Sequence, residues 1–226
     1  MTEISEFDDT ARAITPDGSP VPVYLAAPPG DTAEVAVEVV RPPARVLELG
    51  CGVGRETRTL VACGYDVTAV DESAAMLAHV TGARALLNDI FTMDLGERFD
   101  LVVAGSHFVD DADAATRDAL YAACARHTAH DGAVLLERYD PDWAAAPATY
   151  DGHVGQVSID FEVLDRHPDG STTARLVYEL LGRTWTQQFT FTAMTADRVD
   201  AEARRHGLTV TDSYGEDDTW LALRPI

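Results

Sequence analysis

The sequence predicts an α/β protein: a doubly wound seven-stranded sheet, mostly parallel with its last strand antiparallel, carrying an inserted antiparallel β meander. Short apolar runs alternate with helix-length segments from about residue 45 to residue 137, which implies a parallel sheet covered by helices on both faces. After Trp143 the pattern changes to polar–apolar alternation in three consecutive runs, as expected of antiparallel strands with one wet face. A glycine-dense turn follows the first apolar run, where such sheets bind ligands.

Taken in order, residues 3–13 read as a short helix, followed by an irregular arm rich in proline. Asp31 is placed to cap a helix from Thr32 to about Val40, stopped by Pro42-Pro43. Arg45–Leu49 is a buried strand, Glu56–Cys63 a helix that Gly64 terminates, and Asp66–Val70 a second strand ending at Asp71. Ser73 caps a helix through Val80, and Arg84–Leu87 is the third strand. Phe99–Ala104 is the fourth, with a helix from about Ala112 to His127 and an Asp131-Gly132 turn into a fifth strand, Ala133–Glu137. The meander comprises Val157–Asp165, Thr172–Leu180 and Thr184–Phe191. Thr195 caps a helix to about His206, and Leu208–Ser213 with Thr219–Leu223 forms a closing hairpin. This divides one domain into an N-terminal region (1–43), a core (44–143), the insert (144–193) and a C-terminal part completing the sheet (194–226).

Composition narrows the function. The net charge is −21, so a polyanion such as DNA or RNA would be repelled. All 17 basic residues are arginine, which removes P-loop, Schiff-base and Ser-Lys chemistry together. No apolar run is long enough for a membrane span and the acidic N-terminus has no signal pattern, so the chain reads as soluble and cytoplasmic. Three unpaired-looking cysteines, Cys51, Cys63 and Cys124, agree with a reducing compartment. A homodimer is compatible with all of this.

The turn itself is Gly50-x-Gly52-x-Gly54, not the GxGxxG of dinucleotide enzymes. Glu48 stands two residues before its first glycine, where a diphosphate would meet like charge. Asp71 ends the next strand, where a carboxylate can accept both ribose hydroxyls. An adenosine ligand with a cationic end and no phosphate suits this set. A nicotinamide oxidoreductase is disfavoured by the glycine spacing.

Val46-Leu-Glu-Leu-Gly-Cys-Gly-Val-Gly-Arg55 resembles the first motif of class I S-adenosylmethionine (AdoMet)-dependent methyltransferases, and Ala69-Val-Asp-Glu-Ser-Ala-Ala-Met-Leu77 is similar to their second. Asn88-Asp89-Ile90, Phe99–Ala104 and Asp131–Leu136 resemble the adenine segment, the fourth motif and the fifth strand, so the likeness spans about residues 45–137. It implies a Rossmann-like fold, AdoMet as cofactor and S-adenosyl-L-homocysteine as product. It also implies that Gly50 and Gly52 line the methionine and ribose, with Cys51 a small filler between them. Glu48 and the backbone of Gly105 would face the methionine amino group. Asp71 would hold the ribose, with Glu72 and Met76 beside the adenosine; Asn88, Asp89 and Ile90 would meet the adenine.

Methyl transfer needs alignment, water exclusion and, for some acceptors, a base. His107 is the candidate base, Tyr139 a candidate to orient or deprotonate the acceptor, and Arg138 a candidate partner for an acceptor carboxylate. No metal set is expected, because the Asp-Asn pair of catechol-type enzymes is missing. The insert and proline-rich arm resemble additions in small-molecule methyltransferases, including actinobacterial ones. The expected reaction moves a methyl group to an O or N atom of a small organic molecule. The alternatives are non-methylation chemistry on AdoMet, such as cyclisation, and a non-catalytic partner subunit of the same fold.

Overall fold

The computed structural model describes residues 14–15 and 18–226, so the helix expected over 3–13 lies outside the described residues. Helix α1 (Val21–Ala26) and helix α2 (Thr32–Val39) precede β1 (Arg45–Leu49), α3 (Arg55–Ala62), β2 (Asp66–Asp71), α4 (Ala74–Leu77) and β3 (Arg84–Leu87). Strand β4 (Phe99–Ala104), a 3-10 turn over Phe108–Asp110, α5 (Ala114–His127) and β5 (Thr128–Glu137) complete the parallel part. Next come α6 (Pro141–Ala145), β6 (Tyr150–Val154), β7 (Val157–Arg166), β8 (Ser171–Leu180) and β9 (Arg183–Thr192). Helix α7 (Ala196–Ala203), β10 (Leu208–Tyr214) and β11 (Trp220–Pro225) close the chain.

The seven-stranded sheet runs β10-β11-β5-β4-β1-β2-β3, and β6–β9 form a separate four-stranded sheet. Strands β1 to β5 pair in parallel, while β11 is antiparallel to both β5 and β10. Alternate residues serve opposite faces, as the twofold strand period requires. Leu47, Leu49, Val102, Ala104, Val134 and Leu136 pack with Leu120 and Cys124 of α5 and Val199 of α7. Val46, Leu101, Val103, Ala133 and Leu135 pack with Ala33 and Ala36 of α2 and Leu60 of α3. Burial on both sides explains why these strands read as continuous apolar runs.

Four expectations change. Asp31 does not cap α2 with its side chain; its carboxylate accepts the Trp220 indole N–H at 2.9 Å. Helix α4 ends at Leu77, not Val80, because the chain tightens into i→i+3 bonds and brings Val80 against Gly54, 3.2 Å from where a Cβ would stand. Asp131-Gly132 falls within the bounds of β5, at the irregularity where pairing with β4 jumps from Phe99↔Thr128 to Leu101↔Ala133, instead of preceding the strand. Gly132 is needed for close approach, since a Cβ there would come within 2.9 Å of the Asp100 carbonyl on β4. The insert has a fourth strand, β6, hidden from pattern reading because four of its five residues are exposed.

Helices α1 and α6 were read as irregular arm and loop. Prolines near both N-termini look like breakers in sequence, yet an N-terminal proline is compatible with a first turn. In α6, Asp140 also accepts from the Asp142 N–H at 2.9 Å. The consequence for function is positional: α1 and the four-stranded sheet stand over the carboxyl ends of β1, β4 and β5. The strand order reverses between β1 and β4, which opens a crevice there.

Candidate active site

Two cavities meet in that crevice. The smaller, about 230 Å³, is lined by Glu48, Gly50, Cys51, Gly52, Glu56 and Gly105, among others. The larger, about 520 Å³, lies between the core and the inserted sheet, against His107, Asp110, Tyr139, Trp143, Tyr150 and Phe189. Tyr24, Arg55, Ser106 and Glu137 line both.

The glycine turn is held open by backbone and carboxylate. Gly50 has φ of +70° and donates its N–H to the Val70 carbonyl at 2.8 Å; a side chain there would be strained and would strike the Phe108 ring at 2.5 Å. The Asp71 carboxylate accepts from Gly52 N–H at 2.8 Å and from Ser73 N–H at 2.9 Å, tying β2 to the turn. Glu48 is buried and bonded by the Thr57 hydroxyl at 2.5 Å. Burial, chiefly, pushes its carboxyl up to about 8, and the negative charges of Glu56 and Asp71 push the same way. Glu56 is a residue the sequence reading missed: one oxygen accepts from Gly30 N–H at 2.7 Å, while Oε2 is buried with no partner. The only basic residue lining this cavity is Arg55, whose guanidinium donates to the Pro28 carbonyl. A cradle of carboxyls with one orphaned oxygen fits the ammonium end of AdoMet and opposes a diphosphate.

The remaining cofactor candidates divide. Glu48, Gly50, Cys51, Gly52 and Gly105 come together in the smaller cavity; Asp71, Glu72, Met76, Asn88, Asp89 and Ile90 do not line it. Met76 is buried with Val21 and Val53, its sulfur 4.0 Å from where a Cβ would stand on Gly52. Asp89 spends its carboxylate on the Phe91 N–H and the Thr92 hydroxyl, at 2.9 and 2.8 Å. The Phe108 ring rests on Gly50 and meets Phe91 edge-on, centroids 6.3 Å apart.

Around the larger cavity, His107 stacks on Tyr139 with ring centroids 3.9 Å apart, and its Nδ1 is buried without a partner. Burial is the main force lowering the His107 pKa, opposed by Glu137 and by hydrogen bonding to the Arg138 backbone. The imidazole is therefore neutral at neutral pH, with a lone pair available. Ser106 and His107 both have left-handed backbone, φ of 57° and 59°, strain that is common at functional turns. Burial raises the Tyr139 phenol above its ordinary range, so this hydroxyl donates and does not ionise. Asp110, also missed from sequence, is fully buried; its carboxyl is pushed up to about 8 by burial, against the Tyr139 N–H bond and the Arg138 charge.

Arg138 is no acceptor-binding residue. It is buried and points away from both cavities, donating to the Asp218 carbonyl at 3.0 and 3.1 Å and to the Met194 carbonyl at 2.7 Å. Arg138→Leu should lower unfolding stability by about 1.5 kcal/mol, because carbonyls lose charge-assisted donors. Urea titration would detect this, and an unchanged midpoint would show the three bonds to be energetically idle.

Among the described residues no group of three or more His, Cys, Asp or Glu is arranged to hold a metal ion. Residues 46–132 match the family described as methyltransferase domain. The matched segment spans the glycine turn, Asp71 and the crevice ends of β1 and β4. No curated protein matches the chain by sequence. In solved structures, an S-adenosylmethionine-dependent methyltransferase from Clostridium acetobutylicum is 13% identical, with TM-score 0.69 over 98% of this chain and 96% of that one. The CcbJ methyltransferase from Streptomyces caelestis is 18% identical, with TM-score 0.70 over 97% and 96%. CalS10 from Micromonospora echinaspora, an amino pentose methyltransferase solved with AdoMet bound, is 20% identical, with TM-score 0.64 over 100% and 98%. These likenesses show the class I Rossmann-like fold.

Proposed function

We propose that the protein uses AdoMet to methylate an O or N atom of a small organic molecule. The observation that carries this reading is the pair of adjoining cavities: a carboxyl-lined one on the glycine turn and an aromatic-walled one under the inserted sheet. AdoMet supplies the methyl group as a sulfonium. Glu48, Glu56 and the backbone of Gly105 would hold its methionine end, and Asp71 its ribose. The insert, residues 144–193, acts as the roof of the acceptor cavity and the chain works as one domain.

The residues around the acceptor then have separable tasks. The inserted sheet and Trp143 exclude water and supply an apolar surface, while the rigid end of β5 fixes the approach direction. His107, neutral and stacked on Tyr139, takes the proton of a hydroxyl acceptor. A net charge of −21 opposes a nucleic-acid substrate, and no helix among the described residues is long and apolar enough to cross a membrane. Three free cysteines suit a cytoplasmic location.

Calorimetry with AdoMet, followed by mass analysis of products from a metabolite panel, tests the reading. One added methyl group with S-adenosylhomocysteine release supports it; a rearranged product without that mass gain supports cyclisation, and no cofactor binding supports the partner-subunit alternative. With a hydroxyl acceptor, His107→Ala is expected to lower turnover about 100-fold while leaving AdoMet affinity within twofold of wild type. Full activity in that variant would remove His107 as base.

A further inference from the structure

Resting on that reading, the transferred methyl group must cross from the smaller cavity to the larger one, past the four residues common to both: Tyr24, Arg55, Ser106 and Glu137. Arg55 is engaged elsewhere, donating to Pro28 and lying over the Tyr24 ring at 5.7 Å. Glu137 is the one carboxylate of the four. It stands at the last position of β5, and the Ser106 N–H, at the crevice end of β4, grips its Oε2 at 2.6 Å. That bond sets the carboxylate's direction. Its Oε1 receives no hydrogen bond from any described residue.

The surroundings choose a charge for whatever meets that oxygen. Besides Glu137, Asp111 lines the larger cavity, the neighbouring Asp110 is kept protonated by burial, and Arg55 is the cavity's only arginine among the described residues. The same cavity is lined by aromatic rings: Trp143 stacks parallel to Phe191 with centroids 5.9 Å apart, Tyr150 stacks on Phe161 at 5.3 Å, and Phe189 adjoins Phe191. Carboxylates facing aromatic rings stabilise a cation with an apolar body. The same field opposes the negative charge that gathers on a hydroxyl oxygen as it is deprotonated for attack.

We propose that the acceptor group is an amine, and that Glu137 receives it as an ammonium at the passage between the two cavities. The ammonium gives one proton to the Glu137 carboxylate and so frees the nitrogen lone pair. The nitrogen then bonds to the methyl carbon as the carbon–sulfur bond breaks, its electron pair remaining on sulfur. The methylated nitrogen leaves as an ammonium, and Glu137 returns its proton to water.

A matched pair of probes tests this without requiring the natural acceptor: 2-phenylethylamine and 2-phenylethanol, which differ in the cationic group alone. Ligand-observed NMR titrations would be run at pH 7.5 on wild type and Glu137→Gln, each saturated with S-adenosylhomocysteine. The amine should bind wild type at least tenfold more tightly than the alcohol. Glu137→Gln should erase that preference by weakening amine binding tenfold, with alcohol affinity unchanged. Equal binding of the two probes to wild type, or an amine preference that survives in Glu137→Gln, would overturn the proposal. Should Glu137→Gln fail to fold, the wild-type comparison still decides the amine, and Glu137→Asp must retain part of the preference that Glu137→Ser loses. The affinity for S-adenosylhomocysteine, titrated first, reports the smaller cavity independently. Its absence would sink the methyltransferase-site reading, whereas its presence with no amine preference would sink this proposal alone.

Discussion

Replacing Asp71 with alanine is expected to weaken AdoMet binding by about 2–3 kcal/mol, on the order of 100-fold. Two losses combine in that figure. The carboxylate now restrains the turn through Gly52 N–H and the following helix through Ser73 N–H, at 2.8 and 2.9 Å. Without it the turn must be ordered by the ligand, and the ribose hydroxyls lose an ionised acceptor as well. Calorimetric titration of S-adenosylhomocysteine measures the sum. Asp71→Asn separates the parts, since its single carbonyl oxygen can restore only one of the two backbone bonds and carries no charge. If Asp71→Ala binds as wild type does, the carboxylate has no part in the cofactor site and serves β2 alone.

Glu48→Gln is expected to make the protein less sensitive to alkali. The folded-state pKa of Glu48 is raised, from 4.5 to about 8, so the folded chain holds this proton more tightly than the unfolded chain does. For a carboxyl shifted upward, the favourable contribution is complete below about pH 4.5 and is lost as pH rises toward 8, at about 1.4 kcal/mol per pH unit. Glutamine cannot ionise and still offers the Thr57 hydroxyl a carbonyl oxygen. Denaturant midpoints for wild type and variant should therefore agree near pH 5 and diverge by up to about 4 kcal/mol, variant more stable, near pH 8. Parallel midpoints across that range would mean that Glu48 is ionised in the folded state. The same substitution reads the cofactor site from the other side. A bound ammonium favours the ionised carboxyl, so S-adenosylhomocysteine affinity should rise from pH 6 to pH 8 in wild type and stay flat in Glu48→Gln.

How far the residues alone reveal this arrangement depends on the range of the interactions involved. Strands β1, β2 and β4 are legible to within a residue because both faces are buried and each must be largely apolar; β3, mostly exposed, is delimited by its flanking loops. The glycine turn is legible because left-handed backbone demands glycine. Exposed β6 carries no such demand, and the prolines of α1 and α6 have two readings that local pattern cannot separate.

Side-chain roles divide along the same line. His107 and Tyr139 stand at strand ends next to the crevice, where topology brings them together. Arg138 shares that address in sequence, yet strand alternation turns its neighbour Glu137 toward the cavities and sends Arg138 to carbonyls 56 and 80 residues away. Glu56, Asp110 and Glu137 went unrecognised because an acid in a chain with 38 acids is not conspicuous. Only burial, an absent partner or a place between two cavities distinguishes them.

The order of residues by itself determined the doubly wound sheet, its glycine turn and the class of ligand that turn can hold. Each of these follows from short-range rules: the twofold strand period, helix stop signals, and the conformational freedom of glycine. Tertiary packing alone decided which carboxyls keep their protons, that Phe108 lies on Gly50, and that Glu137 stands where the two cavities join. Desolvation and charge depend on what surrounds an atom in space, and those neighbours come from segments far apart along the chain.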